Sequence, residues 1–102
     1  FIDSKGIIFA STNKKRIGDF HEIGLQVIKT GETIEVDTND GYFGTQKGVN
    51  IPFIYKGDVS AVIGISGVPS EVRKYAYLAQ KITTLLLREH ELLLFLLNLV
   101  LL

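Results

Sequence analysis

The chain has 102 residues, 46% of them apolar, with 11 basic and 11 acidic side chains. That length bounds a single domain with a modest core. Zero net charge excludes a global field for nucleic acid or an anionic membrane, and the absence of cysteine excludes disulfides and a thiolate metal site.

In chain order, Phe1-Ile2-Asp3, Ser4-Lys5-Gly6 and Ile7 to Ser11 read as strand, turn and strand, with Gly6 supplying a positive φ. Ser11-Thr12-Asn13 offers side-chain oxygens for an N-cap. A helix is predicted from Lys14 to Thr30, ended by Gly31. On it Ile17, Phe20, Gly24, Val27 and Ile28 form an apolar stripe that also takes in His21. Thr33 to Asp37 is a third strand, and Asn39 to Thr45 a glycine-containing loop.

Gln46 to Gly67 reads as an antiparallel hairpin, its two apolar runs joined by Tyr55-Lys56-Gly57-Asp58. Alternation puts Val49, Ile51, Phe53, Tyr55, Val59, Ala61, Ile63 and Ile65 on a bulky face. The opposite face carries Asn50, Pro52, Ile54, Ser60, Val62, Gly64 and Ser66. Small and dotted with polar atoms, it has room for a covering helix or a ligand.

Pro69 opens a last helix, where its missing N–H costs nothing. Run to the end of the chain, that helix would span about 50 Å. Val72, Ala79, Leu86, Leu93 and Val100 recur every seventh residue, with Tyr75, Ile82 and Leu96 between them and Glu89 out of pattern. That is the seam of a helix that meets a partner copy. Up to Leu86 the helix is expected to pack on its own sheet. Leu92 to Leu102 is an apolar extension too short to cross a bilayer, so no membrane is expected. The predicted fold is α+β: a PAS-like five-stranded antiparallel sheet in the order ββαβββα, with a long C-terminal helix.

No nucleophile elbow, phosphate loop, dinucleotide motif or metal-ligand spacing occurs, so catalysis, a cofactor and a metal are not expected. Anion binding has better support. Arg16 falls in the first turn of the predicted helix, where a guanidinium fork and free N–H groups suit a carboxylate. Lys47, Gly48 and Asn50 enter the small face of the hairpin, and Ser66 and Gly67 leave it.

Three segments resemble the sugar diacid recognition domain of carbohydrate diacid regulators. They are Arg16-Ile17-Gly18 with His21-Glu22, then Gln46 to Pro52, then Val62 to Gly67 with Arg73-Lys74-Tyr75. Their order and spacing agree from Phe1 to about Leu92, and Arg16, His21 and Asn50 occupy motif positions. The resemblance implies a cytoplasmic, ligand-sensing domain over 1–91 of a bacterial transcription regulator. Its ligand would be a sugar diacid or related hydroxy acid of the glucarate, galactarate or glycerate type. DNA would be bound by a helix-turn-helix further along the full-length protein, not by this domain. The chain departs from the family in its leucine-rich end and at Gly24, where alanine is common. The expected site is Arg16, His21, Lys47, Gly48, Asn50, Ser66 and Gly67. The expected output is a homodimer through the last helix. The rival readings are a dimerisation module that binds nothing and a sensor preceding a membrane helix.

Overall fold

The computed structural model describes residues 1–39 and 41–101. Asp40 of the predicted loop and Leu102 at the end of the predicted helix lie outside the described residues. The fold is α+β with three antiparallel strands rather than five. Strand β1 (Ile34–Val36) pairs with β2 (Gly48–Tyr55), and β2 pairs with β3 (Asp58–Ser66).

The hairpin forms as its alternation predicts. Lys56 and Gly57 both take positive φ, 54° and 87°, the geometry of a tight two-residue turn whose twist matches the strands. One detail departs from simple alternation. Phe53 faces Ala61, but Ile54 faces Val59, so Ser60 is an extra, bulged residue. The bulge moves Val59 off the bulky face and toward Gly31 on the opposite side.

The predicted first two strands do not join the sheet. Only Ile2 reaches it, exchanging two backbone hydrogen bonds of 2.9 Å with Val62. Asp3 folds the chain back at once, its Oδ1 accepting from Lys5 N–H at 2.9 Å and Ile7 N–H at 3.0 Å. Ile8 then spends its backbone on residues 18 and 19 instead of a sheet strand. Local side-chain bonds thus compete with the ladder and win.

The same pairing breaks the predicted helix at 14–30. Asn13 caps a single 3-10 turn, Lys14–Arg16. The chain then leaves helical geometry, turns at Gly18 with φ 95°, and pairs Phe20 with Ile7. Helix α1 starts only at Glu22 and runs to Thr30, with Gly31 ending it in the left-handed conformation. Ile17 therefore lies exposed, while Ile23 joins the core.

Two apolar clusters sandwich the sheet. Ile2, Ile8, Ile23, Val27, Val36 and Val62 fill the space under α1 on the small face. Helix α2 (Pro69–Leu101) covers the bulky face, packing Val72, Ala76, Ala79 and Leu87 against Val49, Ile51, Phe53, Ala61 and Ile63. Arg73 of α2 clamps Glu35 of β1 with two hydrogen bonds of 2.5 and 2.7 Å. Both groups keep contact with water, so this pair orients the helix more than it stabilises it. Past Leu87 the helix still meets the hairpin turn through Glu91, whose carboxylate lies 2.9 Å from Lys56 Nζ, and Leu92 to Leu101 beyond it are exposed. Among the described residues, no helix is long and apolar enough to cross a membrane.

The departure at Gly24 has a packing cause. A Cβ there would come within 2.7 and 2.9 Å of Ile2, which is buried, and 3.1 Å from His21 Nδ1. Overpacking costs about 1–3 kcal/mol, against about 1 kcal/mol gained in helix propensity. Gly24→Ala is expected to lower the melting temperature by several degrees, read by thermal circular dichroism. A rise would show that Ile2 yields freely.

Candidate functional site

The small face is covered by α1 only at its Val62 and Val36 end. Beyond it lies a cavity of about 600 Å³ between the N-terminal segment, the 3-10 turn and the end of the hairpin. Its floor is Gly48, Asn50, Gly64 and Ser66, and its walls include Ile2, Ile8, Ser11, Thr12, Arg16, His21 and Gln46. Polar hydroxyls and amides line one part and branched apolar side chains the rest, which suits a small polar molecule with a carbon chain.

Arg16 is the charged side chain on this wall. The expected helix N-terminus is not there to assist it. The Lys14–Arg16 turn is one turn long, and Arg16 N–H already donates to Asn13 O at 3.0 Å. The first N–H groups of α1 are also occupied. Glu22 N–H donates to Phe43 O, Ile23 N–H to Thr45 Oγ1, and Gly24 N–H to His21 Nδ1, at 2.9, 3.3 and 2.8 Å. The guanidinium carries the charged donors on this wall. It donates to Gly44 O and to Gln46 Oε1, the latter at 3.5 Å. Five N–H groups are available on a guanidinium, so donors remain for a carboxylate.

Gln46 Oε1 also accepts from Ser66 Oγ at 3.1 Å. This amide thereby joins the 3-10 turn, the loop and the last residue of β3. Ser66 stands three residues before Pro69, the first residue of α2.

His21 borders the cavity but is also the N-cap of α1. Since Nδ1 accepts from Gly24 N–H, the ring proton belongs on Nε2. Burial, followed by repulsion from Arg16, pushes its pKa down to about 4. The ring is therefore neutral at pH 7 and serves as a hydrogen-bonding group, not as a second cation. The linkage has a definite sign. The unfolded chain, with an ordinary value near 6.5, binds a proton that the fold rejects. Stability is thus full above about pH 6.5 and is lost as pH falls toward 4. His21→Asn keeps a capping side chain and should flatten that part of the curve, as measured by urea melts between pH 4 and 7. A variant with the wild-type slope would show that His21 does not cause it.

Asn50 is buried at 3% exposure, and its Nδ2 donates to Ile34 O at 3.3 Å. Its Oδ1 projects over Gly64, 3.0 Å from where a Cβ would stand. Asn50 borders the cavity, and among the described residues no hydrogen bond to its Oδ1 is seen.

Of the seven residues expected from sequence, Arg16, His21, Gly48, Asn50 and Ser66 line this one cavity. Lys47 and Gly67 do not. Lys47 N–H donates to Asn39 Oδ1, and Lys47 O accepts from Gly67 N–H at 2.9 Å, so these two lock the base of the hairpin. Gln46, Ser11, Thr12 and Gly64 were not read as site residues. Gln46 begins the motif segment, but its link to residues 16 and 66 depends on how the loop folds. Among the described residues, no cluster of three His, Asp or Glu side chains is placed to hold a metal.

Comparison with known proteins adds the following. The profile of a family described as sugar diacid recognition matches residues 1–96. The carbohydrate diacid regulator of Escherichia coli (strain K12) is 31% identical over 93 residues, 89% of this chain and 24% of that protein. Uncharacterized protein YsfB of Bacillus subtilis (strain 168) is 33% identical over 90 residues, 86% of this chain and 24% of that protein. An uncharacterized protein of Haemophilus influenzae is 32% identical over 95 residues, 90% of this chain and 26% of that protein. The chain thus spans about a quarter of the length of these relatives. No solved structure matches.

Proposed function

The chain belongs to the sugar diacid recognition family, and we propose that it is the ligand-sensing, non-catalytic domain of a cytoplasmic bacterial transcription regulator. Its ligand is a hydroxylated carboxylic acid, either a sugar diacid or a related hydroxy acid. The observation that carries this reading is the composition of the cavity wall. Arg16 stands there among neutral hydroxyl, amide and imidazole groups, with no carboxylate on the wall among the described residues. A guanidinium fork answers a carboxylate. The Oδ1 of Asn50 and the hydroxyls of Ser11, Thr12 and Ser66 answer hydroxyl groups.

The test is a thermal-shift panel of C3 to C6 hydroxy acids and diacids at pH 7. A ligand at 100 times its Kd stabilises the fold by about 2.7 kcal/mol, a shift of roughly 10 °C for a domain of this size. A panel in which no acid moves the melting temperature, even at millimolar concentration, contradicts the reading.

The output runs through α2. Ser66 joins the cavity to the helix, and Gly67 at φ 139° makes the turn between them. A Cβ at Gly67 would press within 2.6 Å of Val72, so the junction is tight. Within the seam read from sequence, Val72 and Ala79 are taken by the sheet, whereas Leu86 and Leu93 are 60% and 54% exposed. That exposure favours a homodimer through the distal half of α2, with ligand binding biasing its pairing. In the full-length protein, a further domain would contact DNA. A charge in such a seam is buried without a partner, so Leu93→Glu should turn a dimer into a monomer in light scattering. A wild type that is monomeric at every concentration rules the seam out.

A further inference from the structure

Resting on the sensing reading above, we infer that Gln46 is an internal competitor for the acid: its amide oxygen takes a donor of Arg16, and a carboxylate binding there displaces it and frees Ser66. One shared oxygen carries the inference. Gln46 Oε1 accepts from Arg16 Nη1 at 3.5 Å and from Ser66 Oγ at 3.1 Å. All three side chains border the cavity. A guanidinium is a donor only, so the amide must turn its oxygen toward it. Gln46 thus offers Arg16 the same kind of atom that an acid would offer, without the charge.

The two bonds of Arg16 differ in how they can yield. Gly44 O is backbone, in a loop held to α1 by the bonds between Glu22 and Phe43. Gln46 Oε1 is the tip of an exposed, flexible side chain, and its 3.5 Å separation is at the outer limit of a hydrogen bond. The backbone on either side of it is pinned. Thr45 is buried, its Oγ1 accepting from Ile23 N–H, and Lys47 N–H donates to Asn39 Oδ1. The Gln46 side chain can therefore swing away while the loop stays in place. A carboxylate bonds a guanidinium about twice as strongly as a neutral amide does, so it wins Nη1. Ser66 Oγ then loses its partner and is free to donate to a ligand oxygen, three residues before Pro69 opens α2.

The test is a calorimetric titration with galactarate at pH 7 of wild type, Gln46→Ala and Gln46→Glu. Alanine removes the competitor, so Gln46→Ala should bind at least as tightly as wild type, by up to about fivefold. Glutamate puts a full negative charge within reach of Arg16 and should weaken binding about tenfold. Weaker binding by Gln46→Ala makes Gln46 a contact of the acid and overturns the inference. Undiminished binding by Gln46→Glu overturns it as well. Either result leaves the sensing reading standing, whereas a wild type that does not bind removes that reading and this inference with it. Amide NMR supplies a second readout. In ligand-free Gln46→Ala, the Ser66 and Gly67 signals should move along the line on which galactarate drives them in wild type. Movement off that line overturns the release of Ser66.

Discussion

Gly44→Ala is expected to be among the most damaging single substitutions in the domain. Gly44 sits at φ 65°, and a Cβ there would run into the Phe20 carbonyl oxygen. That atom is backbone, in the segment paired with Ile7, and it cannot swing away as a side-chain tip can. The left-handed conformation alone costs a residue with a Cβ about 1–2 kcal/mol. The loop must then lift from α1. Lifting breaks Glu22 N–H to Phe43 O and Phe43 N–H to Glu22 Oε2, bonds of 2.9 and 2.7 Å, and separates the Phe20 and Phe43 rings. The expected total is about 3 kcal/mol or more, a fall of roughly 12 °C or more in melting temperature. The same loop carries Gly44 O and Gln46, the two partners of Arg16, so ligand binding should fall as well. A melting temperature within two or three degrees of wild type contradicts the packing described at Phe20.

Much of this arrangement is legible in the sequence. The hairpin is, because strict alternation and Lys56-Gly57 specify it locally. The small face is too, because Asn50, Gly64 and Ser66 fall on one side by period alone. The N-terminal third is not. Whether Ile7 to Ser11 joins a sheet depends on Asp3 taking two N–H groups and on Gly18 reversing the chain, and neither competition shows in a periodicity count. A hydrophobic stripe at 17, 20, 24, 27 and 28 looked helical throughout. Yet Phe20 answers to backbone pairing with Ile7, and Ile17 is left in solvent. Arg16, His21, Gly48, Asn50 and Ser66 still border one cavity, because they were picked by residue chemistry and hairpin period and not by the helix; Lys47 and Gly67 do not. The rationale for Arg16 changed: a fork donor remains, and the helix terminus behind it does not.

Arg16→Ala is expected to lower affinity for the responsive acid by about 100-fold, the loss of about 3 kcal/mol from a charge-assisted pair. Arg16→Lys keeps the charge and loses the fork, and should fall between the two, about 10-fold below wild type. The fold should tolerate both. The guanidinium is partly exposed and spans only Gly44 O and Gln46 Oε1, so the melting temperature without ligand should move by a few degrees at most. Calorimetry on the two variants separates these outcomes. Equal affinity in Arg16→Ala and wild type removes Arg16 from the site.

The central claim is that the acid enters the cavity between the 3-10 turn and the small face of the hairpin. Amide NMR of the wild-type protein, titrated with galactarate at pH 7, tests this most directly. The account predicts that the saturating shifts cluster at Arg16, His21, Gln46, Asn50, Gly64 and Ser66, with smaller changes spreading into the first turn of α2. Shifts confined to the distal leucines of α2, or saturation with residues 16, 50 and 64 unmoved, would contradict it.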